Sequence, residues 1–136
     1  GGGMLAISMF LARSDVMDVF QPGDHGSTFG GNPLSAAVGL EALQVIEDEE
    51  FCQRSAELGA YMLAELKKIK SPLILDLRGK GLFIGLEINP QFAKAREVCL
   101  RLMEKGLLSK DTHGTVVRLA PPLVITRDQI DDVVET

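Results

Sequence analysis

The sequence predicts a small α/β protein with a mixed or antiparallel sheet, preceded by a glycine-rich loop and a long helical segment. Two observations lead to this prediction. Apolar residues recur at helical spacing over residues 34–69. Short apolar runs bounded by glycine or proline at residues 73–77, 82–88 and 115–119 indicate strands. Together with two later helical patterns, they give the order α-β-β-α-β-α, which is typical of a compact α/β unit.

Capping residues mark where the helices begin and end. Asn32 followed by Pro33 predicts a helix N-terminus, because proline at the first helical position loses no hydrogen bond. The acidic residues around Asp48 leave open whether one long helix or two follow. Gly106 is expected to be a left-handed C-terminal cap, and Thr126 is expected to cap the last helix.

Apolar composition predicts several buried positions. Residues 4–11 are apolar and are expected to form a buried strand or the entry to a helix. Met62 and Met103 are expected to lie in the core. Cys52 and Cys99 form no CxxC pair, which favours two buried, reduced thiols over a disulfide or a zinc site.

The charge distribution excludes several classes of function. The net charge is −5 and the basic residues are scattered, so nucleic acid is an unexpected partner. No apolar run is long enough to cross a bilayer, and the first residues do not resemble a signal peptide. We therefore expect a cytoplasmic protein without a membrane contact, and the two histidines lack the neighbours that a metal site needs.

The segment from His25 to Pro33, HGSTFGGNP, is the first candidate site. Glycines allow backbone N–H groups to approach an anion, and the hydroxyls of Ser27 and Thr28 add donors next to a helix N-terminus. A phosphate is the ligand that suits such a loop. A glycine-rich connection whose hydroxyls only cap the helix is an equally good interpretation of the spacing alone.

Arg118 is the second candidate, because it ends an apolar run immediately before the rigid segment Ala120-Pro121-Pro122. A guanidinium held there can bind a carboxylate through two hydrogen bonds. By itself, a surface arginine at a strand end is the better interpretation. The segment from Arg78 to Gly81, RGKG, could likewise bind an anion, but a solvated turn is favoured. No nucleophile–base pair is present, so the covalent chemistry must come from elsewhere.

Four motifs occur in an order that resembles the C-terminal part of class III, fold-type I aminotransferases. They are HGSTFGGNPL, RGKGL, the pair CLRL and KGLL, and VRLAPPL, at residues 25–34, 78–82, 99–108 and 117–123. Thr112-His113-Gly114 is more similar to the ornithine–oxo-acid members than to the acetylornithine or 4-aminobutyrate members. The resemblance extends over essentially the whole chain.

The resemblance implies a domain organisation and roles for the candidate residues. Residues 1–45 would be the end of a large domain that binds pyridoxal 5'-phosphate, and residues 46–136 would be a small C-terminal domain. Ser27 and Thr28 would contact the cofactor phosphate of the neighbouring subunit of a homodimer. Arg118 would hold the α-carboxylate of an amino acid or 2-oxo acid substrate.

The resemblance also implies a reaction, the transfer of the δ-amino group of ornithine to 2-oxoglutarate. The lysine that carries the cofactor in this family would precede Gly1, so no catalytic residue is assigned here, and the 136 residues alone are expected to be inactive. Both ends of the sequence look cut. The alternatives are an acetylornithine or other ω-amino acid aminotransferase, and a non-catalytic module that self-associates.

Overall fold

The structure, a computed structural model, describes residues 2–136 and divides after Glu49 into two compact units. The first unit contains helices α1 (Ser14–Met17) and α2 (Pro33–Asp48). The second unit contains helices α3 (Phe51–Leu66), α4 (Ala95–Glu104) and α5 (Arg127–Glu135), and strands β1 (Ile74–Lys80), β2 (Phe83–Ile88), β3 (Lys110–Thr112) and β4 (Val116–Leu119).

Helix α2 begins as its sequence predicts. Asn32 is the N-cap, its side-chain oxygen accepts a hydrogen bond from the Ser35 backbone N–H at 2.9 Å, and Pro33 occupies the first turn. The apolar pattern of residues 34–69 is two helices, because Glu50 adopts a left-handed backbone with φ of 50°. Of the two alternatives, one long helix or two helices, the prediction of two helices is therefore confirmed.

The first unit has little buried surface. The expectation that residues 4–11 form a buried strand or a helix entry is wrong: they are irregular, and Met9, Phe10 and Leu11 are each at least two-thirds exposed. Among the described residues of this unit, only Ser35 is buried. A strand needs a neighbouring strand to pair with, and within residues 2–49 the structure has none.

The second unit is built on a four-stranded sheet with the order β1-β2-β4-β3, and every neighbouring pair is antiparallel. The predicted antiparallel alternative is therefore confirmed, and the fold is α/β. Strand β3 was not predicted, because Lys110-Asp111-Thr112 is short and polar and shows no apolar alternation.

One face of this sheet carries the hydrophobic core. Helix α3 packs on β1, and α4 packs on β3 and β4. The core residues come from helices and strands alike, with Met62, Ile84, Ile88, Val117 and Ile130 at most 1% exposed. These side chains explain why the second unit is compact.

Several predictions about single residues can be compared with this core. Met62 and Cys99 are buried as expected, whereas Met103 is half-exposed and Cys52 is exposed, which corrects both assignments. Met103 and Cys52 lie on helix faces that the sheet does not cover. Gly106 has the predicted positive φ, and the side chain of Thr126 accepts a hydrogen bond from the Gln129 N–H.

The turn between β1 and β2 is held against helix α3 by close backbone contact. A Cβ atom at Gly59 would lie 2.1 Å from the carbonyl group of Gly81, which leaves no space for any other residue. The hydroxyl of Ser55 accepts a hydrogen bond from the Leu82 backbone N–H at 3.2 Å. The RGKG segment is therefore a hairpin turn that is fixed on its inner side.

Candidate functional site

The phosphate-loop candidate lies in the first unit, before helix α2. Residues 25–31 are exposed and irregular, with Gly31 at a φ of 72°. Ser27, but not Thr28, lines a cleft of about 520 Å³ that also contains Ser8 and His25. A cleft with neutral hydroxyl donors and an imidazole fits the chemistry of a phosphate group.

Hydrogen bonds at the start of α2 limit how a phosphate could be held. The side-chain amide of Asn32 donates hydrogen bonds to the Phe29 carbonyl at 2.8 Å and to the Ser35 hydroxyl at 3.0 Å. Its side-chain oxygen accepts a hydrogen bond from the Ser35 backbone N–H. Pro33 has no N–H to offer. Among the described residues, the backbone N–H groups of residues 25–31 and the hydroxyls of Ser27 and Thr28 make no hydrogen bond, so both kinds of donor are free, with the helix dipole as a secondary contribution.

The carboxylate candidate, Arg118, lies in the second unit on strand β4. Its Cα pairs across the sheet with Gly85 of β2 and with Lys110 of β3, and Gly85 pairs in turn with Arg78 of β1. Directly paired residues point to the same face of a sheet. Arg78, Arg118 and Lys110 thus form a cationic row across the sheet, on the face opposite the core.

Gly85 leaves a gap in this row. A Cβ atom there would lie 3.4 Å from the nearest Val116 methyl group, which is an ordinary van der Waals contact. A cleft of about 440 Å³ lies around Gly85. Its lining residues include Arg78, Lys80, Phe83, His113 and Arg118. The volume lies in the range of pockets for small molecules.

The two arginines of the cleft differ in their partners. Arg78 donates to the carboxylates of Asp76 and Glu87, each at 2.7 Å. These hydrogen bonds hold the pKa of both carboxyls below their usual range and raise the pKa of Arg78. The charge of Arg78 is therefore largely compensated by its neighbours.

Within residues 2–136, Arg118 makes neither an ion pair nor a side-chain hydrogen bond. Its guanidinium lies 5.8 Å from the centre of the Phe83 ring, which is a weak cation–π contact that supports one side of the group. The side chain is exposed, and its five donors remain free. A free guanidinium of this kind can bind a carboxylate through two parallel hydrogen bonds.

Residues of the Thr112-His113-Gly114 motif lie at the second cleft. Thr112 and His113 line the same cleft as Arg118, at the turn between β3 and β4, and His113 has a φ of 52°. His25 and His113 are both exposed. In the part of the chain that the structure describes, no group of three His, Cys, Asp or Glu side chains is arranged to hold a metal. None of the helices in residues 2–136 is long and apolar enough to span a membrane.

Sequence reasoning missed Gly85 and Phe83. Both lie on the polar face of the sheet, and only the strand register places them beside Arg118. The alternation of residues 83–88 contained a signal, because a glycine in a strand often marks a close approach of a ligand or another backbone.

The structure is that of an α/β protein with one cleft at the hydroxyl loop and another beside Arg118. The model of the family described as Aminotransferase class-III matches residues 1–136. The ornithine aminotransferase of Staphylococcus carnosus is 58% identical over 99% of this chain, and that of Bacillus subtilis is 51% identical over the same share. The chain spans about a third of the length of both relatives.

Solved structures give the same relationship. The ornithine δ-aminotransferase of Plasmodium falciparum has a TM-score of 0.85 and 43% identity, with 92% of this chain and 32% of that one covered. An acetylornithine aminotransferase from Elizabethkingia anophelis has a TM-score of 0.82 and 50% identity, with 92% and 34% covered. The chain belongs to the class III aminotransferase family. Membership implies that the full-length enzyme depends on pyridoxal phosphate.

Proposed function

We propose that the chain forms the carboxylate-binding and phosphate-binding part of an aminotransferase that moves the δ-amino group of ornithine to 2-oxoglutarate. The observation that carries this proposal is the free guanidinium of Arg118 in a cleft that also contains Thr112 and His113. Those two residues belong to the motif that resembles the ornithine members. The names of the S. carnosus and B. subtilis relatives support the same substrate.

Each group of this chain has a distinct task in the proposal. Pyridoxal phosphate supplies the electron sink for transamination. Ser27 and Thr28 donate hydroxyl hydrogen bonds to its phosphate, across the interface of a homodimer. Arg118 orients the substrate through its α-carboxylate, so that the amino or oxo group is presented in one direction. In the cytoplasm, where we place the enzyme, the products are glutamate semialdehyde and glutamate.

The domain assignment is part of this proposal. Residues 1–45 would belong to the large cofactor-binding domain, and residues 46–136 would form the small C-terminal domain. The division of the structure after Glu49 supports a boundary in this region. The exposed apolar residues of the first unit support it as well, because a large exposed apolar surface indicates a partner.

A polypeptide limited to these 136 residues should not transaminate. None of its seven lysines, Lys67, Lys68, Lys70, Lys80, Lys94, Lys105 and Lys110, matches the cofactor-carrying motif of the family. The test is to incubate the chain with ornithine, 2-oxoglutarate and pyridoxal phosphate and to measure glutamate semialdehyde. Turnover clearly above a protein-free control would contradict the proposal.

A chimera tests the substrate. Residues 1–136 replace the matching third of the S. carnosus enzyme, and turnover is measured with ornithine and with N-acetylornithine. The proposal predicts a clear preference for ornithine. Arg118→Lys in the chimera should reduce kcat/KM roughly 10- to 100-fold, because a lysine cannot form the two-point contact. A preference for N-acetylornithine would favour the alternative subfamily.

A further inference from the structure

Ser35 is a buried polar side chain in a unit that has little buried surface. It lies in the first turn of helix α2 and is 7% exposed, and no other residue within 2–49 is buried. It lines the cleft of about 520 Å³ that also contains Ser8, His25 and Ser27. Buried helix positions are usually apolar. The choice of a serine here therefore draws attention to its hydroxyl group.

The hydroxyl of Ser35 is hydrogen-bonded in one direction only. The Ser35 backbone N–H donates to the Asn32 side-chain oxygen at 2.9 Å, and the Ser35 hydroxyl oxygen accepts from the Asn32 side-chain amide at 3.0 Å. Within residues 2–136, the hydroxyl hydrogen has no acceptor. A buried donor without an acceptor is destabilising, and native structures contain few of them. The unused hydrogen therefore indicates an acceptor that enters the cleft with a ligand.

The amide of Asn32 connects this hydroxyl to the loop that precedes the helix. The same amide donates to the Phe29 carbonyl at 2.8 Å. A Cβ atom at Gly30 would lie 2.9 Å from the Ser27 Cβ, so the loop folds back so closely that a side chain at this position would force it to shift. These contacts hold Ser27 and Ser35 at the same cleft.

A phosphate monoester supplies the acceptors that such a cleft needs. It has three terminal oxygens, each a strong hydrogen-bond acceptor. The hydroxyls of Ser27 and Thr28 can donate one hydrogen bond each, and a third hydroxyl adds a donor from a different direction. None of the described residues that line the cleft is a lysine or an arginine, so hydroxyl and backbone N–H donors have to hold the anion.

We infer that Ser35 is a further cofactor-binding residue, whose hydroxyl donates to the phosphate of pyridoxal phosphate while its oxygen accepts from Asn32. The inference rests on the proposed function and deepens it, because it adds a donor from helix α2 to the hydroxyl loop. The hydroxyl then acts as acceptor and donor at once, and each hydrogen bond of such a chain polarises the next.

The experiment compares pyridoxal phosphate with pyridoxal, which lacks the phosphate. The protein is the cofactor-free chimera with the S. carnosus enzyme, and equilibrium dialysis gives the dissociation constant of each compound. Ser35→Ala should weaken the binding of pyridoxal phosphate roughly 10-fold, as expected for a hydrogen bond to a charged group. The binding of pyridoxal should not change, which shows that the rest of the site is intact.

Two variants are the matched controls. Ser35→Thr retains the hydroxyl and should keep the affinity for pyridoxal phosphate within about threefold of the parent. Ser14→Ala removes an exposed hydroxyl that does not line the cleft and should have no effect. An unchanged affinity in Ser35→Ala, a parallel loss of pyridoxal binding, or an equal loss in Ser35→Thr would overturn the inference.

A double variant, Ser27→Ala with Thr28→Ala, separates this inference from the proposed function. It should weaken the binding of pyridoxal phosphate but not that of pyridoxal. If it changes neither, the phosphate role of the hydroxyl loop is wrong. If the double variant weakens the binding of pyridoxal phosphate and Ser35→Ala does not, only the role of Ser35 is wrong.

Discussion

The two units of the chain contain similar proportions of apolar residues but use them differently. In the second unit, side chains such as Met62, Ile88 and Ile130 are almost fully buried between helices and a sheet. In the first unit, large apolar side chains such as Leu11 and Phe29 are at least 80% exposed. Burial of apolar surface is the main favourable contribution to folding. The second unit therefore contains its own source of stability, whereas the first depends on other contacts.

This difference also separates the two candidate sites. Arg118 lies on a sheet whose opposite face is packed, so its backbone position is determined by the core. Ser27 and Thr28 lie in an exposed loop whose described support is the Asn32 cap of helix α2. A site on rigid elements is more precise than one on a loop. We expect the carboxylate site to be preformed in this chain.

Truncating a core residue should give the largest effect. Ile130→Ala in α5 should lower the free energy of unfolding of the second unit by about 2–5 kcal/mol, because it leaves a cavity in a fully packed site. Leu40→Ala in α2 should change it by less than about 0.5 kcal/mol, since Leu40 is 70% exposed. Tyr61 is the single tyrosine of the chain, so its fluorescence during urea unfolding reports the second unit. Equal effects of the two variants would contradict the comparison.

A pair of glycine substitutions should give the next largest effect. Gly59→Ala places a Cβ atom 2.1 Å from the Gly81 backbone and should cost about 1–3 kcal/mol or more. Gly39→Ala places its Cβ 3.6 Å from an Ile7 methyl group, which is an ordinary contact. Helix propensity should then make Gly39→Ala neutral or stabilising by up to about 1 kcal/mol. Circular dichroism at 222 nm measures both, and a destabilised Gly39→Ala would show that the first unit is packed more tightly than its exposed side chains indicate.

The smallest effect concerns pH. Arg78 holds the pKa of Asp76 and Glu87 below their usual range, so their contribution is present at neutral pH and is lost as the pH falls through the lowered values. The urea midpoint of the second unit should therefore decline from about pH 5 to pH 3. Arg78→Gln should flatten this decline, while Arg101→Gln, with the same charge change in α4, should not. Identical slopes in all three proteins would contradict a role for the ion pairs.

Local chemistry explains which parts of the structure could be predicted. The Asn32–Pro33 start, the Gly106 cap and the Thr126 cap depend on neighbouring residues, so their sequence patterns were sufficient. Residues 4–11 look apolar in any context, and their structure depends on whether a partner strand is present. The exposure of Met103 depends on which helix face meets the sheet, and single positions do not contain that information.

The same argument applies to the site. Arg118 and the hydroxyl loop could be proposed from residue type and position in the motifs. Their neighbours could not, because the β1-β2-β4-β3 order brings Gly85, Phe83 and Lys80 to Arg118 from a distant part of the sequence. The register of an antiparallel sheet is a property of the whole fold.

Native-state hydrogen exchange on the 136-residue chain tests most directly the claim that only the second unit has its own stable core. Protection of amides follows the free energy of local or global opening. The slowest-exchanging amides should lie in β2, β4 and α3, whereas the amides of residues 2–49 should exchange with little protection. Protection in α2 equal to that in β4 would contradict the division between the two units.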